Sequence, residues 1–152
     1  MRQSQLNAIV WGGLVAGTID IGAASLINWL SPVFICKFVA GGLLGKEALQ
    51  GGFDVAAYGM VLQWVESLII AAVYVTAADW LPILKRQWLW FGLAYGVGIF
   101  FVMNYVVVPL SAWHRWPHMA WDKFAENMAA MLLFGVIVAW FAARTDGVTS
   151  SR

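Results

Sequence analysis

Two acidic side chains, Asp20 and Glu66, lie near the middle of apolar stretches that are long enough to cross a membrane. Ionisable groups at that depth are rare and usually functional, because hydrocarbon does not solvate a charge. A carboxyl group there can carry a proton, bind a cation or hydrogen-bond a polar ligand. These two acids are therefore the main candidates for chemistry in the chain.

Gln63 shares a helical face with Glu66, from which it is separated by about one turn. An amide at this spacing can hydrogen-bond the acid within the helix. Asp20, Gln63 and Glu66 together form the predicted polar midplane site. The pattern leaves open whether the two acids touch, and it weighs function and structural stabilisation about equally for them.

Small residues accompany Asp20 on its helical face, where Gly13 and Gly17 precede it at helical spacing. Such a GxxxG step lets a second helix approach closely, so the acid is expected to face protein rather than lipid. Gly92 and Gly96 repeat the step later in the chain. All four glycines are predicted to be helix-packing positions.

Inserting the Asp20 carboxyl group into a membrane has a high free-energy cost. An acid at mid-span costs ~2.5–3.5 kcal/mol, and the nine Leu, Ile and Val residues of its stretch return roughly 4 kcal/mol at most. We therefore expect Asp20 to be tolerated only with hydrogen-bonding partners, with water or in the neutral protonated form.

A second polar set is expected on the outer side of the acids, if both termini are cytoplasmic. The pattern predicts an outward-open vestibule that ends at the acids above an apolar plug. Its candidate residues are Asn28, Asn104, Glu126 and Asn127. For the amides a structural role is favoured, because buried polar groups commonly join helices at ~0.6 kcal/mol per hydrogen bond.

The composition is that of a membrane protein, with 62% hydrophobic and 11% charged residues among 152. A span needs ~20 apolar residues, so the chain accommodates four. We predict an all-α, four-helix transmembrane bundle over residues 1–152, forming one integral membrane domain. An apolar run at 33–44 is too short to span and predicts an interfacial or re-entrant helix between the first two spans. The predicted spans are about 8–30, 55–78, 88–108 and 123–143. We expect the first span to be retained rather than cleaved as a signal peptide, because it is longer than the usual apolar core of ~7–15 residues.

Several functions are not predicted. The net charge of +1, with scattered Lys and Arg, argues against nucleic-acid binding. The single cysteine, Cys36, excludes an internal disulfide and a multi-thiolate metal site. His114 and His118 have a metal-binding helical spacing, but Pro117 predicts a loop there. Because no catalytic or cofactor motif is present, we expect no enzyme activity, no metal and no cofactor; the lipid bilayer is the one partner predicted.

Orientation and anchoring follow from the ends of the spans. Five Lys and Arg lie on the side of the termini and four on the other, a weak bias that favours cytoplasmic termini. Of ten tryptophans only Trp64 lies well inside a span. The others, including Trp113, are interpreted as an aromatic belt at the membrane surfaces without a catalytic role.

Three segments carry a resemblance, WGGLVAGTIDIGAA, VAGGLLGKEALQGG and GLAYGVGIFFVMNYVVVPLS. Over about a third of the chain it resembles small, four-span bacterial inner-membrane proteins without an established activity. The second span and the segment WDKFAEN are distantly similar to YagU-like proteins. The resemblance implies a multi-pass inner-membrane protein, with no catalytic residue to transfer. It also implies a histidine at the position of Gln63, and this departure weakens a proton-relay role there.

Two function classes remain. The first is a non-enzymatic membrane protein that binds or moves a proton, a cation or a small polar ligand at its midplane. The alternative is an accessory or assembly subunit that docks on a larger membrane complex through its glycine faces and tryptophan-rich surface. Homo-oligomerisation is left open as well.

Overall fold

The protein is all-helical in the computed structural model, which describes residues 1–118 and 120–146. Within these residues, four helices are long and apolar enough to cross a membrane. The predicted fold class is confirmed, including a shorter helix between the first two spans. The helices are α1 (Gln3–Asn28), α2 (Pro32–Leu44), α3 (Phe53–Trp80), α4 (Ile83–Arg86), α5 (Trp88–Leu110) and α6 (Trp121–Ala143).

The turn between α1 and α2 is encoded locally. Trp29 adopts a left-handed conformation with φ of 53°, which ends α1. The Ser31 hydroxyl then accepts a hydrogen bond of 3.2 Å from the Phe34 amide, and Pro32 occupies the first turn of α2. Both residue types are favoured at these positions of a helix start. The chain therefore leaves α1 and begins α2 within a few residues.

The start of α3 differs from the sequence prediction. Asp54 is a plausible N-cap by sequence, but the cap residue is Gly52 and Asp54 lies in the first turn. An acidic side chain in the first turn of a helix interacts favourably with the exposed backbone amides there. Asp54 is therefore suited to the first turn as well as to the N-cap. Residues Lys46–Gln50 form a separate 3-10 turn rather than an extension of α3, because Gly51 and Gly52 follow in extended conformations.

α5 contains a π-helical turn at Met103–Val107. Pro109 was predicted to lie just beyond this span, but it lies inside the last helical turn. Proline lacks an amide hydrogen and its ring crowds the carbonyl one turn earlier, so the helix widens upstream of it. The Asn104 side chain donates to the Phe100 carbonyl oxygen at 2.9 Å beside this turn.

The four long helices alternate in direction. We call the end that carries Arg2 and Arg144 the terminal end, and the end that carries residues 29–32, 45–52 and 111–118 the loop end. α6 packs against α1 and α5, α1 packs against α3, and α2 packs on α3. α3 and α5 pack on these neighbours rather than along each other. The bundle is consequently open on one side.

A polar cluster joins the helix ends at the terminal end. Asp79 forms a 2.8 Å ion pair with Lys85 and accepts a hydrogen bond from the Gln5 amide. The Arg2 guanidinium lies 3.8 Å from the same carboxylate. This cluster ties the start of α1 and the end of α3 to α4.

The loop end contains one exception to the predicted tryptophan belt. Trp113 is buried, stacks on Phe38 with ring centroids 4.6 Å apart and donates to the Phe38 carbonyl at 3.1 Å. The prediction that Trp113 is a belt residue is therefore wrong, because its loop folds back onto α2. His114 and His118 are exposed on the same loop, as predicted from Pro117.

Candidate functional site

The contact between α1 and α3 depends on the two predicted glycines of α1. A Cβ atom added to Gly17 would lie 2.9 Å from the Ser67 Cβ, and one added to Gly13 would lie 3.0 Å from the Leu68 Cα. At these distances an added side chain would force the neighbouring atoms of α3 to shift. Gly13 and Gly17 thus lie in the contact between α1 and α3, and they bring the backbone of α3 close to the face that carries Asp20.

Asp20 meets Gln63 across this contact. The Gln63 side-chain amide donates to the Asp20 carboxylate at 3.0 Å, and Gln63 is only 7% exposed. The pairing follows from the antiparallel arrangement of the two helices. Gly17 of α1 packs on Ser67 of α3, so Asp20, one turn after Gly17, lies beside Gln63, one turn before Ser67. Gln63 was predicted to bond Glu66 within its own helix; the observed partner of its amide is Asp20.

Glu66 lies one turn further along α3 and is partly exposed. Gln63, the partner of Asp20, precedes it by three residues on the same helix. Across residues 1–118 and 120–146, no ion pair reaches either carboxylate. The structure therefore brings the three predicted midplane residues to one level without supplying a positive charge.

Glu66 also lines a groove between α3 and α5, closed on its third side by α2. The groove has a volume of about 880 Å³. Its walls are almost entirely apolar, and among the described residues that line it Glu66 is the one ionisable group apart from the Tyr95 phenol. Among the wall residues are Leu43, Val65, Ile69, Val102, Val106 and Leu110, which are all exposed at the surface of the bundle.

Tyr95 and Val73 line both this groove and a smaller cavity of about 190 Å³ toward the terminal end. Its hydroxyl donates to the Ile70 carbonyl oxygen on α3 at 2.7 Å, and its ring lies 5.0 Å from that of Tyr74. Tyr95 therefore bridges α5 to α3 one turn below Glu66. The sequence does not indicate this role, because the partner is a backbone carbonyl that no side-chain pattern reveals.

The predicted vestibule residues have separate local partners. Asn28 donates to the Ala24 carbonyl at 2.9 Å, and Asn127 to the Lys123 carbonyl at 2.8 Å. Asn104 likewise bonds a carbonyl one turn back. Glu126 is exposed and pairs with Lys123 at 3.0 Å. None of the four is among the residues that line the groove, so the structure does not join them to the acids. The structural role of the amides stays a prediction.

The second pair of predicted glycines packs α5 on α6. A Cβ atom on Gly92 would lie 2.8 Å from the Ala139 Cβ, and one on Gly96 would lie 2.7 Å from the Leu132 Cα. Gly135 of α6 faces both. These glycine faces, like those of α1, are therefore occupied within the chain and are not free to dock on another protein.

The Asp20–Gln63 contact predicts a measurable coupling. In a double-mutant cycle of Asp20→Ala and Gln63→Ala, the interaction free energy is expected to be ~0.6–1.7 kcal/mol, the range for hydrogen bonds between membrane helices. Unfolding by sodium dodecyl sulfate in mixed micelles measures it. Asn28→Ala combined with Gln63→Ala is the control, and it should be additive because Asn28 bonds its own helix. Additivity in the first cycle would contradict the contact.

No protein family, curated protein or solved structure matches the chain. A functional assignment must therefore come from the geometry of the site.

Proposed function

We propose that the protein is a non-enzymatic, multi-pass membrane protein that binds a proton or another cation at Asp20, Gln63 and Glu66 and moves it across the membrane. The observation that carries this proposal is the 3.0 Å contact between Gln63 and Asp20, with the unpaired Glu66 beside it on the groove. The membrane is proposed to be a bacterial inner membrane with both termini cytoplasmic, as the sequence resemblance and the Lys/Arg count favour.

Two carboxylates at one level of a bilayer repel each other and lack a hydrogen-bonded basic partner, so the doubly ionised site is unstable. A proton or cation held between them removes both penalties. Strongly interacting acids also gain and lose protons as a pair, which suits a site that must exchange one positive charge.

The surroundings support a controlled site rather than an open pore. Gln63 is buried and holds one carboxylate in place, whereas Glu66 is reachable from the groove. Toward the terminal end, the Tyr95 hydroxyl links α5 to the Ile70 carbonyl of α3. Movement of charge past this level then requires a rearrangement of α5 against α3, which lack extensive packing on each other.

Proton flux in reconstituted vesicles tests the proposal. The vesicles contain a pH-sensitive dye, and potassium with valinomycin holds the membrane potential at zero while an inward proton gradient is applied. We expect acidification by the natural protein to fall to the rate of protein-free vesicles in Asp20→Asn and in Glu66→Gln.

Glu126→Gln is the matched control, because it neutralises an exposed acid far along the chain from the site. Its flux should equal that of the natural protein. Size-exclusion profiles in mild detergent verify that all variants fold. Unchanged flux in both neutralised site variants would refute the proposal.

The accessory-subunit alternative has less support. It was expected to use Gly13, Gly17, Gly92 and Gly96, and all four pack within the chain. A docking role would have to use another surface.

A further inference from the structure

We infer that the cation is an amphiphilic organic one, with an apolar body and a protonated or quaternary amine, which occupies the groove between α3 and α5 and uses Glu66 as its counter-ion. This inference rests on the proposed cation site and specifies its substrate class. It follows from the shape of the groove, the chemistry of its walls and the position of its single acid.

The groove has the size and chemistry of a small-molecule site. Its volume of about 880 Å³ is within the ~300–1,000 Å³ typical of ligand pockets, which are mostly apolar with a few placed polar groups. A bare metal ion or a small hydrated cation would leave nearly all of this volume unfilled. An organic body fills it and is solvated by its Val, Ile and Leu walls.

The charge pattern selects a cation over a neutral or anionic molecule. The described walls contain one carboxyl group, from Glu66, and no basic side chain. Asp20, which accepts a hydrogen bond from Gln63 one turn before Glu66, adds a second acidic group. A positive head group placed at Glu66 is attracted by both acids, whereas an anion would be repelled.

The way into the groove is from the side. Val65 and Ile69 of α3 and Val102 and Val106 of α5 line it and are exposed on the surface that faces lipid. An amphiphile already dissolved in the bilayer can enter between these helices without passing through water. Toward the terminal end, the hydrogen bond from Tyr95 to the Ile70 carbonyl joins α5 to α3 one turn beyond Glu66, which favours binding at the level of Glu66.

Gly98 offers a way to fill the groove without damaging the fold. It lines the groove, and a Cβ atom built on it meets nothing within 4 Å. A leucine at this position would project into space that the ligand is expected to occupy. Gly98→Leu therefore tests shape, while Glu66→Gln tests charge.

The experiment measures binding of radiolabelled tetraphenylphosphonium to the purified full-length chain in lipid nanodiscs. We expect saturable binding that tetramethylammonium and the neutral triphenylphosphine oxide displace poorly. Glu66→Gln should weaken binding by about tenfold to a hundredfold, as expected for the loss of an interaction with a charged group. Gly98→Leu should abolish binding, and Glu126→Gln should bind like the natural protein.

Two other results would overturn the inference. Equal displacement by the neutral analogue would overturn the inference, because the groove would then hold lipid-like molecules. A shift from dimer to monomer in Gly98→Leu, measured by native mass spectrometry, would also overturn it, because a helix of a second copy would then occupy the groove.

Failure of this inference is distinguishable from failure of the proposed function. If tetraphenylphosphonium does not bind while proton flux still requires Asp20 and Glu66, only the substrate class is wrong. If binding requires Glu66 but proton flux does not, the proton-transport step is wrong and the ligand class stands.

Discussion

Gly96→Leu is expected to lower the free energy of unfolding by about 3 kcal/mol or more, the upper end for overpacked interiors. An added Cβ atom at this position would lie 2.7 Å from the Leu132 Cα and 3.0 Å from the Met131 carbonyl carbon. These are backbone atoms of α6, so no side-chain rotation can make room. The two helices must separate, and unfolding by sodium dodecyl sulfate should begin at a markedly lower detergent fraction.

Gly98→Leu is the matched control, because it makes the same substitution two residues later on the same helix. The added Cβ atom meets nothing there, and glycine is already exposed. We expect its free energy of unfolding to change by less than ~1 kcal/mol, as for substitutions away from packed contacts. Equal destabilisation by the two variants would show that α5 does not pack on α6 through Gly96.

Gly59→Ala should be nearly as damaging, although it adds only one methyl group. The new Cβ atom would lie 2.6 Å from the Cys36 carbonyl carbon and in collision with its oxygen. The Ala40 amide nitrogen lies 3.2 Å from the same point. Because both neighbours are backbone atoms of α2, the expected result is a loss of ~2–3 kcal/mol and displacement of α2 from α3.

Thiol labelling of Cys36 reports this displacement directly, since the side chain is buried against α3 in the natural protein. A membrane-permeant maleimide should label Gly59→Ala faster than the natural protein. Gly22→Ala is the control, because a Cβ atom there has no neighbour within 4 Å. Unchanged labelling in Gly59→Ala would contradict the observed position of α2.

The position of α2 matters for the groove as well as for stability. Val39, Gly42 and Leu43 of this helix form the third wall of the groove. Trp113 holds the same helix from the loop end through its contacts with Phe38. A short helix that could not span a membrane therefore serves to shape the candidate ligand site.

Much of the fold could be predicted from local properties of the chain. The helices α5 and α6 begin at or within two residues of their predicted starts, and the loop around Pro117 was anticipated. The errors at Asp54 and Pro109 concern single helix ends. Several capping positions are compatible with one sequence, and a proline can be accommodated by a π turn instead of ending the helix.

The sequence alone determined that four apolar segments are long enough to cross a membrane and that Asp20 and Glu66 lie near the middle of two of them. Apolar length and helical spacing are local quantities, so they can be counted along the chain. The tertiary structure decided that Gln63 bonds Asp20 rather than Glu66, that Trp113 is buried on Phe38 and that a groove separates α3 from α5. These three features depend on which helix faces pack together. The short loops permit several arrangements of the helices, and one of them is selected by contacts between helix backbones that form only on folding.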